Sequence, residues 1–444
     1  MREMKDSGVT WIGDIPKEWS IAPLKGLGRF YGGLSGKAGD DFVVEEGDYY
    51  ELFVPFTNIF NNNVIQLDKL FKVKIFNGEK QTLVHKGDIL FLMSSEDFDG
   101  LGKASLMNDE VENLHLNSFC KGFCPFDRVF PSYLNYYLQG QPVREYIRSN
   151  GNGFIRINLK VSKLGTTPVL LPSLEEQRRI ADFLDAKCAE IDSILEQTRA
   201  SIEEYKALKQ SVITEAVTKG IRGDRSMKDS GVEWIGEIPS DWDVLSFYKN
   251  NYIRGRLGWK GLKADEYVLE GFPFLSAFNI IENHLDWNEL NYITQERYDE
   301  SPEIKLSVGD LLVVKDGAGI GKCARVDALP LGPATVNSSL AVITSLGRLD
   351  YRFEYYYLLS APFQQVIWFL KIGMGVPHLT QEKMREISIP CPSLVEQREI
   401  AAYLDEKCST IDSLIASKEA LIGELEAYKK SLIYEYVTGK KEVL

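Results

Sequence analysis

The segment most suggestive of chemistry is the glycine-rich run KDGAGIGK at 315–322. A Walker A loop would need glycine where Asp316 stands and serine or threonine where Cys323 stands. A dinucleotide-binding fingerprint would need one more residue before its third glycine and a helix afterwards, whereas CARVDA at 323–328 is typical of a strand. The run therefore predicts a glycine-rich hairpin, whose backbone could approach a phosphate or a base edge.

Other catalytic or metal-binding patterns are weak. Glu303 and Lys305 form a Glu-x-Lys triplet of the kind found in nucleases, but the strand that such sites require is missing around it. The amino-methyltransferase motif contains a Pro-Pro pair, and this chain has none. The four histidines form no recognisable hydrolytic grouping. Cys120 and Cys124 near His115 have the wrong spacing for a zinc knuckle and are interpreted as core thiols. We therefore predict a non-catalytic chain that binds no metal and no cofactor of its own.

The densest cluster of cations and aromatics is RGRLGWKGLK at 254–263. Arginine offers paired donors to a guanine edge or a phosphate, lysine a mobile charge, and tryptophan a stacking or wedging face. A solvated loop with one anchoring tryptophan is an equally good interpretation of the sequence. The candidate DNA-binding residues are Arg254, Arg256, Trp259, Lys260 and Lys263, and their thinner counterparts in the first half are Arg29, Tyr31 and Lys37.

Further candidates occupy corresponding positions in the two halves of the chain. The loops 150–158 and 371–378 each precede a long helix, which could hold them rigidly against a groove. They contribute Arg156, Asn158, Lys371 and His378. Repeated polar positions and the glycine-rich run add Asn58, Lys103, Asn117, Asn279, Lys315, Lys322 and Asn337.

An internal duplication positions these candidates. MKDSGVTWIGDIPKEWS begins at Met4 and MKDSGVEWIGEIPSDWD begins at Met227, an offset of 223. Each copy is a block followed by a long helix. We expect a first recognition domain at 1–171, a central helix at 172–220, a second recognition domain at 221–391 with a hinge at 219–226, and a final helix at 392–444. The frames agree while the loops differ, which suggests two related surfaces with different ligands.

The two helical segments carry matching heptads. The first seam alternates steps of four and three from Leu184, on a helix of roughly 65 Å, and the second seam follows 220 positions later. So narrow an apolar stripe needs a partner, and the duplicate helix supplies one. The predicted coiled-coil core is Leu184, Cys188, Ile191, Leu195, Ile202, Leu404, Cys408, Ile411, Ile415 and Ile422.

The length, the apolar content and the net charge of the chain limit these interpretations. A chain of 444 residues predicts two or more domains, and the blocks, with short β-branched runs between Gly, Asn and Asp turns, predict an α+β fold. No apolar run approaches 18 residues, which predicts a cytoplasmic protein that does not span a membrane. The net charge of −13 argues against indiscriminate coating of nucleic acid. It allows a protein whose basic residues are local.

The duplicated layout, the PSLxEQR openings at Pro172 and Pro392, the SGVxWIGxIP starts and the RGRLGWKGL loop resemble the DNA-specificity subunit of type I restriction-modification enzymes. The resemblance implies two target recognition domains, joined by two long helices packed antiparallel with pseudo-two-fold symmetry, that each read half of a split DNA target. It also implies two methyltransferase subunits on the helices, restriction-translocase subunits beyond them, and S-adenosylmethionine, ATP and Mg on those partners. The first block lacks the RGRLGWK loop, so its base contacts are the least defined.

A different hypothesis also accounts for the sequence. A coiled-coil scaffold whose blocks bind proteins or other ligands would explain the acidic charge and the lack of a long basic stripe. Binding to a random duplex, with and without a methyltransferase subunit, would distinguish the two.

Overall fold

The structure is a computed structural model that describes residues 2–45, 48–76, 78–153, 155–256, 262, 264–317, 319–371, 379, 381–384 and 387–443. The chain divides into two compact units. Unit 1 is Met1–Thr198 with Ala420–Leu444, and unit 2 is Arg199–Glu419. Each unit therefore combines one globular block with a part of each long helix.

The block of unit 1 is built on short strands and helices. Its strands are β1 (Met4–Asp6), β2 (Asp14–Pro16), β3 (Ser20–Pro23), β4 (Gly28–Gly32), β5 (Tyr50–Val54), β6 (Phe71–Lys74), β7 (Ile89–Leu92), β8 (Ser94–Ser95), β9 (Ala104–Leu106), β10 (Leu114–Leu116), β11 (Cys120–Pro125), β12 (Ile157–Asn158) and β13 (Pro168–Leu171). Its helices are α1 (Phe56–Asn61), α2 (Pro131–Gln139), α3 (Gln141–Ser149), α4 (Val161–Leu164) and the start of α5 (Leu174–Lys219), with 3-10 turns at Leu24–Gly26, Gly39–Phe42 and Leu67–Lys69.

Unit 2 contains the corresponding elements. Its strands are β14 (Met227–Asp229), β15 (Glu237–Pro239), β16 (Asp243–Ser246), β17 (Asn251–Arg254), β18 (Phe272–Leu275), β19 (Ile280–Ile281), β20 (His284–Leu285), β21 (Asn291–Ile293), β22 (Leu311–Val314), β23 (Cys323–Arg325), β24 (Thr335–Val336), β25 (Leu340–Ser345) and β26 (Ser388–Cys391). Its helices are α6 (Phe247–Asn250), α7 (Gln295–Asp299), α8 (Tyr351–Leu359), α9 (Ala361–Lys371), α10 (Gln381–Met384) and most of α11 (Leu394–Val437), with 3-10 turns at Ala264–Glu266, Ala277–Asn279 and Pro302–Ile304.

The two units share the topology of their larger sheets, and they differ in one two-stranded sheet, β8-β12 in unit 1 and β19-β20 in unit 2. The antiparallel four-stranded sheet β4-β11-β7-β9 of unit 1 matches β17-β25-β22-β23 of unit 2. The three-stranded sheet β10-β5-β6 matches β24-β18-β21, each with one parallel and one antiparallel pair. The ladder β13-β3 likewise matches β26-β16. The predicted α+β fold with two similar domains is confirmed, and so is the glycine-rich hairpin, because 315–322 joins the paired strands β22 and β23.

One inner strand of each four-stranded sheet, β7 in unit 1 and β22 in unit 2, is buried on both faces, and we call it the central strand. In β7, Ile89 and Phe91 face one apolar cluster while Leu90 and Leu92 face another, because successive side chains of a strand point to opposite sides. The first cluster also holds α2, α3 and the start of α5, and the second holds β10. Strand β22 alternates in the same way. Each unit is therefore layered as helices, a four-stranded sheet and a smaller sheet.

The long helices run antiparallel within each unit. In unit 1, the rings of Phe183 and Tyr436 lie 4.5 Å apart, and further along α5 Lys429 Nζ contacts Asp192 Oδ1 at 2.6 Å. In unit 2, contacts of Tyr205 with Lys418 and of Lys209 with Asp412 follow the same order. Of the heptad core residues, all are buried except two, which are partly buried: Ile415 and Ile422.

The start of each long helix is tied to its own block by the repeated PSLxEQR segment. The Gln177 side chain accepts from the backbone N–H of Phe130 at 2.8 Å and donates to the carbonyl of Pro172 at 3.1 Å. Its counterpart Gln397 makes the same contacts with Asp350 and Pro392. The preceding glutamate of each helix accepts from the indole N–H of a buried tryptophan. The motif is thus an anchor, a role that the sequence analysis missed although the repetition itself signalled it.

Candidate nucleic-acid interface

Two of the predicted contact residues are bonded inside their own unit. Tyr31 of β4 donates its hydroxyl to Asp88 Oδ2 at 2.5 Å, and Arg254 of β17 pairs with Asp310 Oδ2 at 2.9 Å. The two positions are equivalent in the repeated sheets, and each aspartate is buried just before the central strand. Burial and the adjacent carboxylate raise the pKa of Tyr31, so its hydroxyl stays a donor. Both side chains therefore fix an outer strand to the central strand.

The predicted asparagines hold loops in both units. Asn58 is buried and donates to the carbonyl of Gln66 at 2.8 Å, and Asn279 donates to the carbonyl of Glu289 at 2.8 Å. Since these amides satisfy backbone groups of neighbouring loops, they position those loops.

A second asparagine pair shapes the turn before the longest strand of each sheet. Asn117 Oδ1 accepts from the backbone N–H of Phe119 at 2.9 Å, and Asn337 Oδ1 accepts from that of Ser339 at 3.0 Å. These side-chain-to-backbone bonds define equivalent turns. The residue whose N–H is bound is phenylalanine in unit 1 and serine in unit 2, so the repeated frame carries different side chains at this turn.

Two predicted lysines of unit 1 are engaged internally. Lys37 Nζ lies 2.6 Å from Glu79 Oε2. This hydrogen bond makes the largest of several contributions that lower the pKa of Glu79 to about 2. Lys103 donates to the carbonyl of Phe60 at 2.7 Å and lies 4.4 Å from its ring. Burial, reinforced by a nearby arginine, lowers the pKa of Lys103.

Other predicted cations remain at the surface. Arg29 is exposed beside the ring of Phe126, and Arg156 is exposed beside the ring of Phe119. Lys322 is exposed at a cleft of about 580 Å³ in unit 2 that Lys206 of α5 also lines. Two other candidates contact their sequence neighbours: Asn158 donates to the carbonyl of Arg156 at 3.1 Å, and Lys315 pairs with Asp316 at 2.8 Å.

The loop that the sequence singled out is only partly described. Arg256 is described, and its side chain is 3% exposed with Nη2 at 3.9 Å from Glu300 Oε2. Its Nε and Nη2 are buried and find no hydrogen-bond acceptor among the described residues. Lys371 ends α9. The predictions for Trp259, Lys260, Lys263 and His378 lie outside the described residues.

The cysteines near His115 behave differently from one another. Cys120 is buried, as expected of a core thiol, but Cys124 is exposed, so that part of the interpretation was wrong. Cys120 and Cys124 point to the same face of β11, but Cys124 lies one residue from the end of the strand, where that face is no longer covered. His115 is buried and pairs through Nε2 with Glu51 Oε2 at 2.5 Å. Among the described residues, no group of three His, Cys, Asp or Glu side chains is arranged to hold a metal.

A family model decides the identity of the chain. The model described as the type I restriction modification DNA specificity domain matches residues 16–204 and 264–427. The chain belongs to the type I restriction-modification DNA-specificity family. The resemblance predicted from the sequence is thereby confirmed, and the chain is a specificity subunit for DNA sequence recognition that does not itself catalyse a reaction.

Curated relatives and solved structures agree. The specificity subunit is 25% identical over 439 residues to the MjaVIII specificity subunit of Methanocaldococcus jannaschii, covering 97% of this chain and 94% of that one. It is 24% identical to the StySPI specificity subunit of Salmonella potsdam, covering 96% and 90%. A solved chain from a study of type I R-M complex assembly and conformational transition has a TM-score of 0.72 at 16% identity, covering 96% and 99%. The HsdS subunit of Thermoanaerobacter tengcongensis has a TM-score of 0.52 at 16% identity, covering 96% and 98%.

The specificity subunit carries a second surface that the sequence analysis missed. Five exposed apolar residues of the long helices each lie just before a heptad core position, where they flank the seam. We call this set the outer stripe: Ile194, Leu421 and Tyr428 in unit 1, and Leu208 and Leu414 in unit 2. The 220-residue offset, already present in the heptads, makes Ile194 equivalent to Leu414 and Leu208 equivalent to Tyr428.

Each globular block contacts its long helices on the side away from the outer stripe. Tyr136 donates to Asp185 at 2.7 Å in unit 1, and Tyr356 donates to Asp405 at 2.7 Å in unit 2. Both aspartates occupy the heptad position that follows a core residue, across the seam from the stripe.

Among the described residues, none of the helices combines the length and hydropathy that a bilayer crossing requires.

Proposed function

We propose that this specificity subunit reads a bipartite duplex DNA target, one half with each unit. One observation carries the proposal: the units repeat the same orders in their four-stranded and three-stranded sheets, while the loops on those sheets differ in sequence. The loop at 29–41 reads RFYGGLSGKAGDD, and its counterpart at 254–265 reads RGRLGWKGLKAD. A fixed scaffold with divergent loops suits two readers of different base sequences. The helices α5 and α11 would then set the gap between the half-sites.

The acidic charge of the subunit is compatible with this function. A net charge of −13 disfavours nonspecific binding, yet only the face that touches DNA needs to be basic. Exposed cations such as Arg29, Arg156 and Lys322 supply local positive charge. Partner subunits would add much of the phosphate contact and hence of the salt dependence.

We infer that two methyltransferase subunits bind the long helices and that restriction-translocase subunits join them in the cytoplasm. The outer stripe supports this inference, because it offers an apolar pair at an equivalent place in each unit. The pair is Ile194 with Tyr428 in unit 1 and Leu208 with Leu414 in unit 2. A site that occurs twice suits one partner in two copies. S-adenosylmethionine, ATP and Mg would be bound by those partners.

Exchange of one block tests whether each unit recognises its own half of the DNA target. Residues 1–171 are replaced by the corresponding block of a relative, and modified adenines are mapped in DNA from cells that carry the chimaera and its partners. We expect one half of the target to change and the other half to persist. The reciprocal exchange of 227–391 serves as the control and should change the opposite half. A target in which both halves change together, or neither changes, would refute the proposal.

A further inference from the structure

In unit 1, Asn152 and Asn158 pair at the base of a short turn that we call the hairpin, whose described residues are 152–153 and 155–158. The backbone N–H of Asn152 donates to the carbonyl of Asn158 at 3.0 Å, and the reverse bond is 2.9 Å. Strand β12 at this base pairs with β8. Gly153 has a φ of 138°, and a Cβ there would lie 2.1 Å from the carbonyl oxygen of Arg156, so only glycine fits this close approach. The base of the hairpin is therefore held by these backbone contacts.

The hairpin exposes an apolar side chain beside a cation. Ile155 is 94% exposed, the next residue is Arg156, and the Arg156 guanidinium lies 5.3 Å from the ring of Phe119, which is itself 59% exposed. Lys121 follows two residues after Phe119 on β11. Neither Arg156 nor Lys121 forms an ion pair with a carboxylate of the described residues. These groups join an exposed apolar surface to uncompensated positive charge.

This combination suits base edges in the major groove. The major groove admits a two-stranded β-ribbon and is where all four base pairs are distinguishable. An arginine can donate two hydrogen bonds to a guanine there, and an apolar side chain can contact the C5-methyl group of thymine. The uncompensated cations disfavour an apolar protein partner, and base-specific reading disfavours the minor groove, whose pattern is degenerate.

We propose that Ile155 is a specificity-determining residue that contacts a thymine methyl group in the half-site read by unit 1. Phe119 supports the Arg156 guanidinium, which lies against the adjacent base pair or its phosphate. The inference rests on the proposed function, since it names the base feature that one unit reads.

A double-mutant cycle tests the contact at the level of one methyl group. The target is first mapped from modified adenines, and the full chain in complex with its methyltransferase subunits is titrated with a duplex that carries this target. Each thymine of the half-site is then replaced in turn by deoxyuridine, which lacks only the methyl group. We expect one position at which this change weakens binding by the wild-type complex about fourfold, the value of one buried methyl group. The Ile155→Ala complex should bind the thymine duplex more weakly than the wild type does, by a similar factor. Replacing that thymine by deoxyuridine should not weaken its binding any further.

The outcomes separate the inference from the proposed function. Leu346→Ala, which shortens an exposed aliphatic side chain on a turn of unit 2, is the matched control and should bind like the wild type. If the wild-type complex binds no duplex specifically, the proposed function fails. If it binds but no thymine couples to Ile155, this inference alone fails. Enhanced 2-aminopurine fluorescence that needs Ile155 would overturn it in favour of a wedge between bases.

Discussion

At the scale of single residues, Glu354 of α8 is an unusual substitution in the repeat. It is fully buried, and Asn251 donates its side-chain N–H to Glu354 Oε1 at 2.5 Å. The other oxygen of each group, Glu354 Oε2 and Asn251 Oδ1, is buried and has no hydrogen-bond partner among the described residues. One proton on Glu354 would satisfy both, in a two-bonded acid–amide pair. The equivalent residues of unit 1 are Leu134 and Gly28, so unit 1 lacks the pair.

The acid–amide pair predicts a pH-dependent stability of unit 2. Burial raises the pKa of Glu354 from 4.5 to about 8, with a smaller contribution from Asp350. The folded state therefore holds a proton that the unfolded state has lost between these pH values, and stability falls as pH rises through this window, by at most about 1.4 kcal/mol per pH unit. Above pH 8 this contribution is constant. Glu354→Gln keeps the proton-donating geometry at every pH, so it should match the wild type near pH 5 and exceed it at pH 8.

Thermal unfolding of the wild type and Glu354→Gln from pH 5 to pH 9 measures this difference. Glu270→Gln changes an exposed carboxylate of the same unit and should leave the pH profile as it is. Identical profiles for Glu354→Gln and the wild type would show that the buried glutamate is not protonated in the folded state.

At the scale of elements, the helix anchors predict local destabilisation. Gln177→Ala leaves the backbone N–H of Phe130 and the carbonyl of Pro172 without their partners, and unpaired buried groups cost about 1–3 kcal/mol each. Hydrogen exchange read by mass spectrometry should show faster exchange in the block of unit 1 and no change in the block of unit 2. Gln397→Ala should give the opposite pattern, and Gln197→Ala on the exposed helix surface should change neither block. Equal effects on both blocks would mean that the glutamines do not act as separate anchors.

The same elements show how far the sequence could be read. The duplication, the heptads and the glycine-rich hairpin were predictable because periodicity and turn chemistry are local. The roles of Tyr31 and Arg254 were not, since each meets an aspartate more than fifty positions away, across a strand register that no local pattern specifies. Ile155 carried no signal either, because a single apolar residue in a loop is ordinary in sequence and becomes informative only when its exposure is known.

At the scale of the whole molecule, the proposed stoichiometry of two methyltransferase subunits follows from the duplication. The outer stripe offers one apolar pair per unit, Ile194 with Tyr428 and Leu208 with Leu414. Neighbouring outward positions on these helices are small, among them Ala200, Ala207 and Ala427. Small residues beside apolar ones let another helix approach closely. The sites are equivalent but separate in sequence, so each can be removed without the other.

Loss of one apolar pair should therefore remove one methyltransferase subunit. We expect Ile194→Glu with Tyr428→Glu to lower the stoichiometry of the purified complex from two partners to one, because a charge at each apolar contact would be buried without a counter-charge. Leu208→Glu with Leu414→Glu should do the same, and the four changes together should leave the specificity subunit alone. Native mass spectrometry counts the subunits directly. Ala189→Glu, on an exposed helix position away from the stripe, is the control and should retain both partners. A complex that keeps two methyltransferase subunits after all four changes would place their docking surface elsewhere on the chain.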